Sequence, residues 1–136
     1  MKELPIGLRG QAQTTVAEGN TAIAVGSGTL PVFATPAMLA LIEQAAWQSV
    51  APYLDAGEST VGTLLQVSHD SATPPGLTVR AETELTAVEG RKLVFSVTAS
   101  DDAGPIGQGT HERFLVYDEK FLARAAGKAA AAQPGE

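Results

Sequence analysis

The stretch Thr35-Pro36-Ala37-Met38-Leu39-Ala40-Leu41-Ile42-Glu43-Gln44-Ala45-Ala46-Trp47-Gln48-Ser49-Val50-Ala51-Pro52 decides the fold. Thr35-Pro36 reads as a helix start, because the hydroxyl can cap free backbone N–H groups and a proline has no N–H to waste in the first turn. From Ala37 to about Leu54 the spacing is helical, with Met38, Leu41, Ile42, Ala45 and Ser49 on one face. Leu39, Ala46, Trp47 and Val50 make the other faces apolar too, so the helix is predicted to be enclosed on several sides. Pro52 and Gly57 mark its end. Between Glu18 and Asp55, Glu43 is the only formally charged side chain, which marks this third of the molecule for burial.

Outward from the helix the period changes from helical to two. Gln11–Ala17 and Asn20–Val25 are the weaker strand candidates, around a turn at Glu18-Gly19-Asn20. Thr60–Ala72 is a long strand candidate, closed by Thr73-Pro74-Pro75-Gly76. In Leu77–Val88, Val79, Ala81, Thr83 and Leu85 alternate with Arg80, Glu82, Glu84 and Thr86. Glu89-Gly90 then turns the chain into Leu93–Ala99, and Asp101-Asp102-Ala103-Gly104-Pro105 turns it into Ile106–Tyr117. Consecutive strands joined by short turns imply an antiparallel sheet. One long apolar helix and five or six such strands predict an α+β fold whose sheet curls around the helix. The surplus of apolar surface predicts a homodimer that continues the sheet across two subunits. The whole is expected to be a single domain over residues 1–122, followed by an Ala-rich tail, 123–136, that starts as a short helix and frays.

Composition narrows the function. With 44% hydrophobic and 18% charged residues the chain is too apolar to be disordered, and at 136 residues it has room for one core. The absence of cysteine excludes disulfides, a thiol nucleophile and thiolate-bound zinc, leaving His69 and His111 as the side chains that titrate near neutrality. Neither histidine has the spacing of a metal site, so no metal and no cofactor are expected. Fifteen acidic against nine scattered basic residues argue against nucleic acid as a partner. The opening Met1-Lys2-Glu3-Leu4-Pro5 lacks the apolar run of a signal peptide and no stretch reads as a membrane span, so a cytoplasmic location is expected.

Four residues are candidates for chemistry. Glu43 is a carboxylate on a mostly apolar helix, where loss of hydration raises its pKa unless a partner or polar cavity compensates. It is either a catalytic carboxylate or a residue on a polar seam or dimer surface. Counting by two from Val61 through Thr63, Leu65 and Val67 puts His69 on a largely apolar face, where it is either structural or, if that face covers the helix, a proton-transfer partner for Glu43. Thr35 reads as a cap whose hydroxyl could also serve a site, yet a straight helix separates it from Glu43 by about 12 Å. Gly62, like Gly76, is a turn or bulge glycine by default, although a glycine beside a pocket can offer its N–H to an oxyanion. No nucleophile elbow, phosphate-binding loop or dinucleotide fingerprint is present.

The motifs Glu43-Gln44-Ala45-Ala46, Ala51-Pro52-Tyr53-Leu54 with Gly57-Glu58, Val67-Ser68-His69, Ala72-Thr73-Pro74-Pro75-Gly76-Leu77-Thr78-Val79, Val88-Glu89-Gly90-Arg91 and Gly109-Thr110-His111-Glu112-Arg113 occur in the order that resembles the fluoroacetyl-CoA thioesterase family of hotdog-fold proteins. The resemblance covers about Thr35 to Phe121. It implies a dimeric hotdog that hydrolyses a small acyl-CoA to acid and CoA, with CoA as part of the substrate. It implies a Thr35, Glu43 and His69 site in which Glu43 is nucleophile or base for water, His69 a proton carrier and Thr35 a positioning hydroxyl. Gly62 matches the glycine whose N–H polarises the thioester carbonyl. His111 lies in a matching motif outside that set and is expected to be structural or to line the channel. The segment Gly26–Pro31 is shorter than in the fluoroacetyl-specific enzyme and lacks its aromatic gate, with only Phe33 nearby, so a different or broader small acyl group is expected. The CoA phosphates are expected on Arg80, Arg91, Lys92 or Arg113. The alternative is a non-catalytic hotdog module that binds an acyl-CoA or small hydrophobic ligand.

Overall fold

A computed structural model of the chain describes residues 1–132. Five antiparallel strands form one sheet: β1 (Arg9–Thr15), β2 (Glu58–Val67), β3 (Thr78–Glu89), β4 (Lys92–Asp101) and β5 (Gly104–Tyr117), in the order β1-β3-β4-β5-β2. The turns are those the sequence marks. Glu89 pairs with Lys92 around Gly90, which takes a φ of 65°, and Asp101 pairs with Gly104 while its carboxylate accepts the N–H groups of Ala103 and Gly104. Register shifts at Gly62/Leu64, Leu85/Ala87 and Ala99/Ser100 mark three bulges, which bend the strands and curl the sheet.

Helix α2 (Thr35–Val50), followed by a 3-10 turn over Ala51–Tyr53, lies in the hollow of that curl. Met38, Leu41, Ile42, Ala45, Ala46 and Val50 are buried against Val79, Ala81, Leu85, Leu93, Phe95 and Val97. Removing this apolar area from water holds the fold together. The approach of α2 to β1 depends on Gly10, since a Cβ there would run into the Ala45 carbonyl and Ser49. Trp47 stays 45% exposed, so one side of the helix is open, contrary to enclosure on several sides. Among the described residues, β2 ends the sheet with an unpaired edge.

Four local expectations are corrected. Asn20–Val25 is not a strand: after a 3-10 turn at Glu18–Asn20, α1 (Ala22–Val25) forms because Thr21 Oγ1 caps the Ala24 N–H and Gly26, at φ 77°, closes the other end. The long strand stops at Val67, leaving His69 beyond it. Thr63 is the extra residue of the bulge, so Val61 and Thr63 line the outer face with Phe114 and Val116, whereas Leu65 and Val67 pack on the core. The C-terminal helix α3 begins earlier than expected and spans Asp118–Ala131. Of the expected frayed tail, residues 133–136 lie outside the described residues.

Candidate active site

At the start of α2 the cap position is Ala34, with extended backbone and no side-chain cap. Thr35 is therefore the first helical residue, and its hydroxyl is free for another partner. That partner is His69: Thr35 Oγ1 and His69 Nδ1 are 2.7 Å apart. His69 is held there by its flanks, because Ser68 and Asp70 donate their N–H groups to Gln108 and Ile106 of β5. Nε2 of His69 is buried and has no hydrogen-bond partner among the described residues.

Glu43, two turns further along α2, belongs to a second cluster. Its Oε2 accepts from Arg113 Nη1 at 3.2 Å. The Glu43 side chain is 38% exposed and ion-paired, so this carboxylate is neither dry nor alone. Arg113 itself is buried, donating from Nε to Thr60 Oγ1 at 2.9 Å and from Nη2 to the Thr60 carbonyl at 2.8 Å. Burial lowers its pKa from the ordinary value, and the Glu43 charge opposes that shift. His111 completes the cluster. The Leu64 carbonyl, 2.8 Å from Nδ1, can only accept, so Nδ1 carries the proton and Nε2 accepts from Arg113 at 3.2 Å. Its ring stacks on Phe95 at 6.0 Å, and burial first, then the Arg113 charge, holds its pKa below the usual histidine value.

Gly62 joins the second cluster. A Cβ at this position would strike Glu43 Oε2 and crowd the His111 ring, so glycine is what lets the carboxylate sit this close to β2. The candidate residues thus fall into two pairs within one protomer, Thr35 with His69 and Glu43 with Gly62. Sequence reasoning missed Arg113 as the partner of Glu43, and Thr60 as its second anchor. The available signal was His111-x-Arg113, two polar residues on the inward face of a strand whose Ile106 and Leu115 are core.

The residues expected to bind substrate are dispersed. Phe33 is 2% exposed and part of the core, and its N–H bonds to the Thr73 carbonyl. Arg113 faces inward with its guanidinium engaged by Glu43, Thr60 and His111. Arg91 lies on the outer face, 5.1 Å above the Phe114 ring. Arg80 meets Gln13, and Lys92 pairs with Glu89 and Glu112. Among the described residues, no cluster of His, Asp and Glu could hold a metal ion, and no helix is long and apolar enough to cross a membrane.

A curled antiparallel sheet around one long helix, carrying a fixed carboxylate and a hydroxyl–imidazole pair, is a hotdog-fold thioesterase. Residues 16–119 match the model of the fluoroacetyl-CoA-specific thioesterase family, and the chain belongs to that family. It is 50% identical to the fluoroacetyl-CoA thioesterase of Streptantibioticus cattleyicolor over 93 residues, which are 68% of this chain and 67% of that one. A solved fluoroacetyl-CoA thioesterase superposes with a TM-score of 0.88 at 38% identity, over 98% of this chain and 100% of the other. A thioesterase superfamily member from Thermus thermophilus superposes with a TM-score of 0.87 at 26% identity, over 98% and 100%.

Proposed function

We propose that this thioesterase hydrolyses a small acyl-CoA to the free acid and CoA at a site built from Thr35, Glu43, Gly62 and His69. The observation that carries the reading is the Glu43 carboxylate, anchored through Oε2 by buried Arg113 and seated close against β2 where Gly62 has no side chain. Oε1, the oxygen that Arg113 does not hold, would meet the thioester carbonyl. Glu43 then either attacks the acyl carbon, expels the thiolate of CoA and leaves an anhydride that water hydrolyses to the free acid, or takes a proton from a water that attacks the acyl carbon and expels the thiolate directly. In both routes the thiolate needs a proton, which the imidazole of His69 supplies from Nε2 while Nδ1 rests on the Thr35 hydroxyl.

The spacing along α2 is resolved by a homodimer. β2 is an edge strand whose free backbone groups can pair with a second copy, and exposed Leu64 and Trp47 lie on or near that edge. Antiparallel pairing of two β2 strands runs the His69 end of one protomer toward the Gly62 region of the other. Glu43 and Gly62 of one protomer would then meet Thr35 and His69 of the partner subunit.

The segment before α2 supplies no aromatic side chain to the acyl pocket, since Phe33 is in the core, which favours acyl selectivity other than that for fluoroacetyl. The test is a panel of acyl-CoA esters graded by acyl size, with CoA release followed by a thiol reagent. Turnover of small acyl groups that is lost in Glu43→Gln supports the reading. Saturable binding with no turnover of any ester by the parent would replace it with the binding-module reading.

A further inference from the structure

The loop that carries His69 and the segment that leads into Thr35 share an anchor with no part in the chemistry above. Thr73 is fully buried in the loop between β2 and β3. Its carbonyl accepts the N–H of Phe33, two residues before Thr35, at 2.9 Å, and its Oγ1 lies 2.7 Å from Asp101 Oδ2 at the end of β4. The bond from the Thr73 hydroxyl outweighs burial and, with the N–H groups of Ala103 and Gly104, holds the Asp101 carboxyl below the usual carboxylate range. An ionised carboxylate only accepts, so the hydroxyl donates. Pro74 and Pro75, which follow, have no N–H to offer. Between Asp70 and Gly76 the hydrogen bonds to the rest of the fold therefore run through the two oxygens of Thr73, among the described residues.

These bonds close a circuit. From His69 the chain passes to Asp70, whose N–H donates to the Ile106 carbonyl at 2.6 Å. Two residues earlier on β5, the Gly104 N–H reaches Asp101 Oδ1 at 3.1 Å. Asp101 Oδ2 accepts from Thr73, the Thr73 carbonyl accepts from Phe33, and Phe33 leads to Thr35, whose Oγ1 is 2.7 Å from His69 Nδ1. Besides Thr35 with His69, Thr73 with Asp101 is the one link in the circuit made by two side chains, so a substitution can open it without changing the backbone path. The link matters because the partners stand on different supports. His69 is fixed to β5 by its flanks, whereas Thr35 opens a helix with no side-chain cap and is tied to the His69 loop through Phe33 and Thr73. A displacement of about 1 Å at a catalytic group can lower a rate by about 10²-fold, so the spacing of these two supports bears directly on turnover.

We propose that Thr73 and Asp101 are positioning residues that set the spacing of Thr35 and His69. Their effect on turnover rests on the acyl-CoA reading above, but the spacing itself can be measured without substrate. The chain has two histidines, so nitrogen NMR of the imidazole rings gives one set of signals from each, the His69 set being identified by its loss in His69→Ala. Thr73→Val keeps the shape and removes the hydroxyl, and Thr73→Ser keeps the hydroxyl. Asp101→Asn is an independent variant that leaves one acceptor oxygen where two are in use. The His69 signals should move in Thr73→Val and in Asp101→Asn, those of His111 in the separate Arg113 cluster should stay, and Thr73→Ser should match the parent. In steady state with an acyl-CoA, Thr73→Val should lower kcat by about tenfold with KM within about twofold, and Thr73→Ser should restore kcat. His69 signals that stay in place in both Thr73→Val and Asp101→Asn overturn the proposal, and so does unchanged kcat in a variant whose His69 signals have moved. Equal movement of His69 and His111, the mark of general loosening, overturns it too, as does a Thr73→Ser protein as impaired as Thr73→Val. If the signals move as expected yet the parent turns over no acyl-CoA, the positioning stands and the thioesterase reading fails.

Discussion

Arg113 Nη1 lies 3.2 Å from both Glu43 Oε2 and His111 Nε2, so one buried nitrogen on β5 ties the carboxylate of α2 to the imidazole beside it. The remaining guanidinium nitrogens are fixed on Thr60. Arg113 is thus a positioning residue for Glu43. Glu43→Gln keeps the shape and removes the charge, and is expected to lower kcat by about 10²- to 10⁴-fold with little change in far-UV circular dichroism. Arg113→Lys can still reach a carboxylate but cannot keep the fork to Thr60 and His111. Its kcat should fall by up to about 10²-fold through misplacement of Glu43, with KM changed far less. Equal kcat in the parent and both variants would remove Glu43 from the chemistry.

His111 makes stability depend on pH. Its folded pKa lies below the unfolded value of about 6.5, chiefly through burial and then through the Arg113 charge, while the hydrogen bond to the Leu64 carbonyl and, less strongly, Glu43 and Glu112 pull the other way. Below about pH 6.5 the unfolded chain binds a proton that the folded chain refuses. The contribution is therefore complete above that pH and lost as pH falls toward the folded value. Its slope can reach about 1.4 kcal/mol per pH unit. Urea unfolding at pH 8, 7, 6 and 5 should show His111→Gln less stable than the parent at pH 8 but with a shallower acid loss. Parallel acid limbs would exclude His111 as the source.

Two glycines separate activity from stability. Ala at Gly10 meets the Ala45 carbonyl, a backbone atom of the packed helix, so the helix must shift. The expected cost is roughly 1–3 kcal/mol by chemical denaturation. Ala at Gly62 meets Glu43 Oε2, the end of a flexible side chain that can swing away. Gly62→Ala should leave the unfolding midpoint near that of the parent and lower kcat, because the methyl displaces the carboxylate from its seat against β2 and from Arg113. A Gly62→Ala protein with full activity would show that this seat of the carboxylate is not needed for turnover.

The sequence makes the architecture legible because hydrophobic period and turn chemistry agree along most of the chain. Met38, Leu41, Ile42 and Ala45 place α2, and Gly90 and Gly104 sit at the turns where positive φ is required. The misses have local causes. A side-chain cap at Thr21 outweighed the apolar run Ala22–Val25 and made a helix, and one extra residue at Thr63 inverted the faces of Val61 and Thr63. Glu43 is visible as the lone charge of its segment, but Arg113 lies 70 residues away in sequence and its partnership follows only from the β2–β5 register. Thr35 looked like a cap because Thr-Pro at a helix start usually is one, and only the tertiary contact with His69 shows otherwise.

The arrangement of the two half-sites has a direct genetic test. Within a protomer Thr35 holds His69 while Glu43, two turns along the same helix, is held by Arg113. If each complete site joins one protomer's Glu43 to His69 of the partner subunit, a dimer made of one Glu43→Gln chain and one His69→Ala chain contains one doubly defective site and one intact site. Each homodimer carries two crippled sites. Mixing the variants by co-expression with two affinity tags, and isolating the doubly tagged dimer, should therefore recover about half of the parent's activity per dimer from two nearly inactive parts. A site contained within one chain gives no such recovery, because neither chain has both groups. An inactive doubly tagged dimer would place the acid–base pair in cis, and a monomer at micromolar concentration by sedimentation would remove the shared site altogether.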